Sequence, residues 1–146
     1  MSLVGFNLLY KSRRQRRLGQ IFVDLQPVVI RRGSGLCCRI NFIGLKPGIQ
    51  PLACATLASR ETTFVNQTNG AFIPGPLIYK KTYPLAPARS ISPADTAILE
   101  TFIPIPEDAP PTFSGWSNLL AWEVALRVSA NGEPAWNASY PVTVYL

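Results

Sequence analysis

The sequence predicts an all-β domain, a two-sheet antiparallel β-sandwich of about seven or more strands. Three observations predict this fold class. Apolar and polar residues alternate with a period of two over most of the chain, no stretch shows a helical period of any length, and 14 of the 146 residues are proline. Charged residues make up only 15% of the chain, which further disfavours long surface helices.

The first half of the chain predicts a hairpin. Gln20–Ile30 alternates until Pro27 interrupts it, and a strand that contains proline is typical of a sheet edge. After turn-forming residues at Arg31–Gly35, the alternation resumes over Leu36–Leu45. These two segments are therefore expected to pair with each other.

Two further strands are predicted between residues 51 and 83. Pro51–Phe64 is a strand of small residues, and Asn66–Gly70 is expected to form a turn. Leu77–Tyr83 is the next strand, with a proline on each side and two lysines at its centre. Because proline cannot donate a hydrogen bond to a sheet, this strand and the segment near Pro27 are the candidate sheet edges.

The second half carries the strongest alternation. Ala97–Ile103 alternates before a proline-rich connection, and Asn131-Gly132 is a hairpin turn signal. The most regular strand covers residues 120–128, and Val142–Leu146 forms the last strand. From these two strands we predict five core residues: Trp122, Val124, Leu126, Val142 and Val144.

Four segments of the second half occur in an order known from one family. They are a polar turn, an apolar-Pro-apolar-Pro segment, a strand centred on Trp and a closing strand of alternating valines: Ile91–Asp95, Phe102–Thr112, Ala121–Val128 and Tyr140–Val144. In this order they resemble the arrestin-type β-sandwich, shared by arrestins, the related retromer cargo subunit and bacterial sporulation-control relatives. Without the resemblance, the same residues predict an immunoglobulin-like sandwich around Trp122, and this alternative stays open.

Positive charge is concentrated in one short run. The net charge is +6, and five of the 14 basic residues lie near the N-terminus, so that elsewhere nine basic residues face eight acidic ones. A positive field confined to one run indicates either a solvated arm that has no partner or an arm that contacts the phosphate groups of an anionic surface. We consider nucleic acid a less favoured partner. The residues are Lys11, Arg13, Arg14, Arg16 and Arg17.

The charge run also divides the chain. We assign residues 1–19 to a basic N-terminal arm and residues 20–146 to a single β-sandwich domain. Val4–Tyr10 is apolar and directly precedes the basic run, as at the cytoplasmic exit of a transmembrane helix. Two interpretations are open: a juxtamembrane remnant, or a strand-like arm that docks on the fold.

The residue inventory disfavours catalysis. Histidine is absent, which removes the usual general base and the commonest metal ligand, so we expect no enzyme activity, no cofactor and no metal site. The three cysteines cannot all pair within one chain, and a reducing, intracellular setting fits them best. Two carboxylate pairs remain conceivable as acid–base groups, one from adjacent residues and one from two neighbouring strands: Glu107 with Asp108, and Glu100 with Glu123.

These observations and the resemblance predict a non-catalytic protein-interaction or scaffold domain of arrestin-like type. We expect it at the cytoplasmic face of a membrane, held there by the basic run, and we expect a protein partner to add a strand at a sheet edge. The alternative is a structural subunit, of virion or appendage type, whose basic arm contacts a neighbour or nucleic acid.

Overall fold

The protein folds as a two-sheet β-sandwich. The computed structural model describes residues 8–66, 71–88 and 93–146, and for residues 8–14, 64–66 and 71–72 the backbone alone. These ranges contain strands and no helix, which confirms the predicted fold class. The strands are β1 (Leu8–Gln15), β2 (Gly19–Gln26), β3 (Val29–Arg31), β4 (Gly35–Ile43), β5 (Pro51–Asn66), β6 (Ala71–Pro84), β7 (Ala86–Pro87), β8 (Thr96–Pro104), β9 (Phe113–Ser114), β10 (Asn118–Ala130) and β11 (Glu133–Tyr145).

The strands form two sheets. The first sheet has the order β1-β2-β4-β8-β7, and the second has the order β3-β11-β10-β5-β6, with β9 also paired to β10. All pairs are antiparallel except β3 with β11, which is parallel. The predicted turns at Asn66–Gly70 and Ile91–Asp95 lie partly outside the described residues.

The predicted first hairpin is present, with one difference. β2 and β4 pair antiparallel, and Gln20 lies opposite Ile43. The segment Gln20–Ile30, however, is not one strand, because β3 leaves the first sheet and pairs with β11 of the second. Pro27 has no N–H to donate, so the β2 ladder ends at Gln26 and the chain crosses to the other sheet.

The core consists of the inward-facing alternate residues of both sheets. Trp122 is only 1% exposed, and its Nε1 donates a hydrogen bond to the carbonyl oxygen of Pro110 at 2.8 Å. Its ring lies against Tyr79, with 5.5 Å between the ring centroids. The five residues chosen from the sequence are all buried in this core: Trp122, Val124, Leu126, Val142 and Val144.

The turn between β10 and β11 follows the sequence signal. Asn131 has a φ of 52° and Gly132 a φ of 86°, as a two-residue hairpin turn with both central residues left-handed requires. The Asn131 Oδ1 accepts a hydrogen bond from the backbone N–H of Gln50 at 2.6 Å, which joins this turn to the start of β5. Pro134 and Pro141 interrupt the sequence pattern of β11 without ending the strand.

The turn between β1 and β2 depends on Gly19. Its φ is +71°, and an added Cβ would overlap the carbonyl oxygen of Ile43, whereas Gly48 has a φ of +78° and open space around it.

We expect Gly48→Ala to lower the free energy of unfolding by about 1–2 kcal/mol, because of the left-handed backbone alone. Gly19→Ala should cost more, because the backbone must also move. Urea denaturation of both variants measures the difference, and equal losses would contradict the close approach at Gly19.

Candidate interaction surfaces

Most of the basic run lies in the first strand of the first sheet. β1 contains Lys11, Arg13 and Arg14 and pairs antiparallel with β2, with Lys11 opposite Val23. It stands at one end of the sheet order, so it has a single neighbour among the described strands. From Leu8 onward, the segment that we assigned to a separate arm is therefore part of the sandwich, because its backbone completes the ladder along β2.

The two remaining arginines of the run lie in the turn after β1. Arg17 pairs with Glu133, with Nη1 3.1 Å from Oε2. The Gln15 Oε1 accepts hydrogen bonds from the backbone N–H groups of Arg17 and Leu18 at 2.7 and 2.8 Å, which holds the turn. Arg16 is exposed and has no ion pair within the described residues. The charge of Arg17 is thus compensated locally, whereas that of Arg16 is open to a partner.

The second sheet ends in a long edge strand. β6 stands at the end of the order and pairs with β5 alone among the described strands. It includes Leu77–Tyr83, one of the two segments named as candidate edges. The other candidate, near Pro27, is divided: β2 is covered on both sides by β1 and β4, and β3 is an edge of only three residues.

The outer face of the first sheet carries a row of charges that the sequence did not reveal. Asp24, Arg39 and Glu100 lie opposite one another on β2, β4 and β8. Arg39 Nη2 and Nε lie 3.0 and 3.1 Å from Glu100 Oε2, and Asp24 Oδ1 is buried with no hydrogen-bond partner in the described part of the chain. A shallow depression of ≈ 460 Å³ beside the row is also lined by Cys37 and Phe102. Strand register brings these residues together, and alternation within one strand does not predict register.

The structure separates the two carboxylates expected on neighbouring strands. Glu100 lies on β8 of the first sheet and Glu123 on β10 of the second, and the core lies between the two sheets. The expectation that their strands are adjacent was therefore wrong. Ser139 Oγ donates a hydrogen bond to Glu123 Oε2 at 2.8 Å. Glu107 and Asp108 are exposed in the loop after β8.

The cysteines are free and lie in three different environments. Cys37 is exposed on the outer face of β4, Cys38 is buried on the inner face, and Cys54 is half-buried on β5. Burial raises the pKa of the Cys38 thiol from its ordinary value of 9.0 to about 12, and the nearby Asp24 carboxylate adds to the shift. The Cys38 thiol is therefore an inert apolar group of the core.

An exposed aromatic turn was also missed by the sequence reasoning. Trp116 is 92% exposed and occupies a tight turn, closed by a 2.8 Å hydrogen bond from the Gly115 N–H to the carbonyl oxygen of Asn118. Phe113, 51% exposed, packs over Gly115. The turn-forming serine, glycine and asparagine residues around the tryptophan are the signal that could have marked it.

The comparisons with known proteins concern the fold. No protein-family model matches the sequence, and no curated protein matches it. Among solved structures, the sporulation control protein Spo0M of Bacillus subtilis is similar, with a TM-score of 0.55 and 13% sequence identity. The likeness covers 86% of this chain and 49% of Spo0M, so this chain spans about half the length of that neighbour. The fold is arrestin-like.

The arrestin-like sandwich gives the proline-rich segment of the second half a structural role. After β8 ends, Ile105 and Ala109 are buried in the core. The Trp122 indole then takes its hydrogen-bond acceptor, the Pro110 carbonyl oxygen, from the same segment. The apolar-proline segment and the tryptophan strand therefore pack against each other in the core.

Within the described ranges, no helix has the length and apolar character needed to cross a membrane.

We expect the free energy of unfolding to fall as the pH rises above about 9. Up to that pH the Cys38 thiol is protonated in both states, but between 9.0 and about 12 the unfolded chain loses this proton and the folded chain keeps it. The loss is about 1.4 kcal/mol per pH unit in that range. Urea denaturation at about pH 8 and about pH 10.5 should show a shallower pH dependence for Cys38→Ala than for the wild type. Equal slopes would contradict the raised pKa.

Proposed function

We propose that this chain is a non-catalytic protein-interaction or scaffold domain that acts at an anionic membrane surface. The observation that carries the proposal is the concentration of positive charge in one edge strand and its turn, while the remaining charges nearly balance. The arrestin-like fold supports an interaction role. Spo0M is named a sporulation control protein, and we propose a regulatory or scaffold role for this chain as well.

The strand conformation of β1 suits such a surface. An extended chain rises about 3.4 Å per residue, so the basic residues of β1, from Lys11 to Arg14, are spread over roughly 10 Å, and Arg16 follows in the turn. Each basic residue near an anionic bilayer contributes about 1 kcal/mol, and salt screens this attraction. Because Arg17 is already paired with Glu133, we expect most of the attraction to come from the other four cations of the run.

The cytoplasmic face is the side of the membrane that we propose. Anionic lipids are concentrated in the cytoplasmic leaflet. All three cysteines of the described chain are free thiols, which is the usual state in a reducing compartment.

We expect a triple variant, Lys11→Gln/Arg13→Gln/Arg14→Gln, to bind anionic vesicles far more weakly than the wild type. Three cations at about 1 kcal/mol each correspond to a loss on the order of 100-fold at low salt. Sedimentation with anionic and with neutral vesicles, at low and at high salt, measures this loss. Substitution is preferable to removing residues 1–19, since truncation would delete β1 and uncover β2.

A matched control separates this strand from general surface charge. Arg31→Gln/Arg32→Gln/Arg127→Gln changes the net charge equally at three exposed positions outside β1 and should leave most of the binding intact. Equal losses in the two triple variants would contradict a specific role for β1. Absence of vesicle binding at every salt concentration would overturn the membrane proposal, and concentration-dependent assembly would then favour the structural-subunit alternative.

The interaction role also requires an acceptor for the partner protein. An edge strand presents unpaired N–H and C=O groups that an extended partner segment can complete. We propose that partner segments add to the sandwich in this way, and the length of β6 makes it the favoured edge.

A further inference from the structure

Seven residues of β6, Leu77–Tyr83, carry edge hydrogen-bonding groups, with a register shift at Ile78, which lies between Leu77 opposite Arg60 and Tyr79 opposite Ser59. Pro76 and Pro84 lack an N–H, whereas Leu77–Tyr83 contains no proline. β5 pairs with one side of the segment, with Lys80 opposite Ala58. Alternate N–H and C=O groups therefore point away from the sheet on the other side, where the described chain places no strand.

The exposed side chains of this segment are apolar at one end and cationic at its centre. Leu77 and Ile78 are each 44% exposed, and Lys80 and Lys81 are exposed as well. The residues opposite the two lysines on β5 are alanine and leucine, which supply no carboxylate. Neither lysine has an ion pair within the described ranges. Lys81 Nζ lies 5.4 Å from the ring centroid of Tyr83, and no carboxylate of the described chain pairs with either lysine.

A second copy of this chain fits the segment poorly. In an antiparallel pair centred on the segment, Lys80 of one copy would lie opposite Lys80 of the other. The Lys81 side chains of the two copies would be diagonal neighbours. Like charges directly opposite each other destabilise a strand pair, and lysine on an edge strand is a common protection against self-association. The same charges favour pairing with an acidic strand. The two lysines therefore disfavour a second copy of this chain and select an acidic partner.

The alternation of a strand defines what the partner must carry. Successive residues point to opposite faces, so the two lysines demand carboxylates on both faces of the partner strand, which only consecutive acidic residues provide. We propose that Leu77–Tyr83 binds an extended segment of a partner protein with two consecutive acidic residues opposite Lys80 and Lys81 and two apolar residues beside Leu77 and Ile78, where the register of β6 shifts. This inference rests on the proposed interaction function and names its partner class.

Two synthetic peptides test the charge complementarity. The first has the order that antiparallel pairing requires: two threonines, two glutamates, one threonine and two valines. The second has lysines in place of the glutamates. Main-chain hydrogen bonds are common to both peptides, whereas the two charge pairs are attractive with the glutamate peptide and repulsive with the lysine peptide. By fluorescence anisotropy, we expect the glutamate peptide to bind the wild type about tenfold more tightly than the lysine peptide.

Charge reversal on the protein should reverse this preference. Lys80→Glu/Lys81→Glu should bind the lysine peptide more tightly, whereas Arg32→Glu/Lys46→Glu, with the same change in net charge at exposed positions outside β6, should keep the wild-type preference. Failure of the glutamate peptide to bind the wild type would overturn the proposal. A preference that the Lys80→Glu/Lys81→Glu variant leaves unchanged would overturn it as well.

Self-association provides a second readout that needs no peptide. Lys80→Thr/Lys81→Thr removes the charges and keeps residues that favour strands, so it should sediment as a larger species than the wild type at equal concentration. A variant that sediments like the wild type would show that the lysines do not exclude a second copy, which would overturn that part of the inference.

The vesicle assay separates the proposed membrane role from the inference about β6. If peptide binding fails while vesicle binding persists, only the inference about β6 is wrong. If vesicle binding fails while peptide binding persists, only the proposed membrane role is wrong.

Discussion

Trp122 is buried between the two sheets, and its one polar atom must find a hydrogen-bond acceptor away from water. The acceptor is the carbonyl oxygen of Pro110, twelve residues earlier, in an irregular segment that crosses the end of the sandwich. This bond and the burial of Ile105 and Ala109 tie that segment to the core. β10 is thereby held at the centre of the second sheet, where it pairs with β5 and β11.

The position of the proposed partner edge follows from the placement of β10. β10 pairs with β5 along the whole length of β10, and β6 pairs with the other side of β5, which places β6 at the end of the sheet. β1 occupies an end of the other sheet in the same way. The two long edges of the sandwich are thus both rich in basic residues: Lys11, Arg13 and Arg14 on β1, and Lys80 and Lys81 on β6. Basic residues on an edge strand disfavour self-pairing, and they fit the anionic surface and the acidic partner that we propose.

Much of the fold could be predicted from the sequence, because apolar and polar residues alternate along a half-buried strand and the apolar ones mark its buried face. Val124 and Leu126 were assigned to the core on this basis, and the structure buries both. Alternation does not report which strands pair. For that reason it did not predict three features: the crossover of β3 to the second sheet, the row that contains Asp24 and Glu100, and the location of Glu123 on the opposite sheet.

By itself, the sequence determined the fold class, the inward faces of the main strands, the turn at Asn131-Gly132 and the absence of histidine chemistry. Each of these depends on local period, turn conformation or residue inventory. The tertiary structure decided that most of the basic run lies in an edge strand, that Arg17 is compensated by Glu133, and that Lys80 and Lys81 have no carboxylate opposite them. Those facts depend on pairing between residues distant in sequence, and pairing is set by the packing of the whole core.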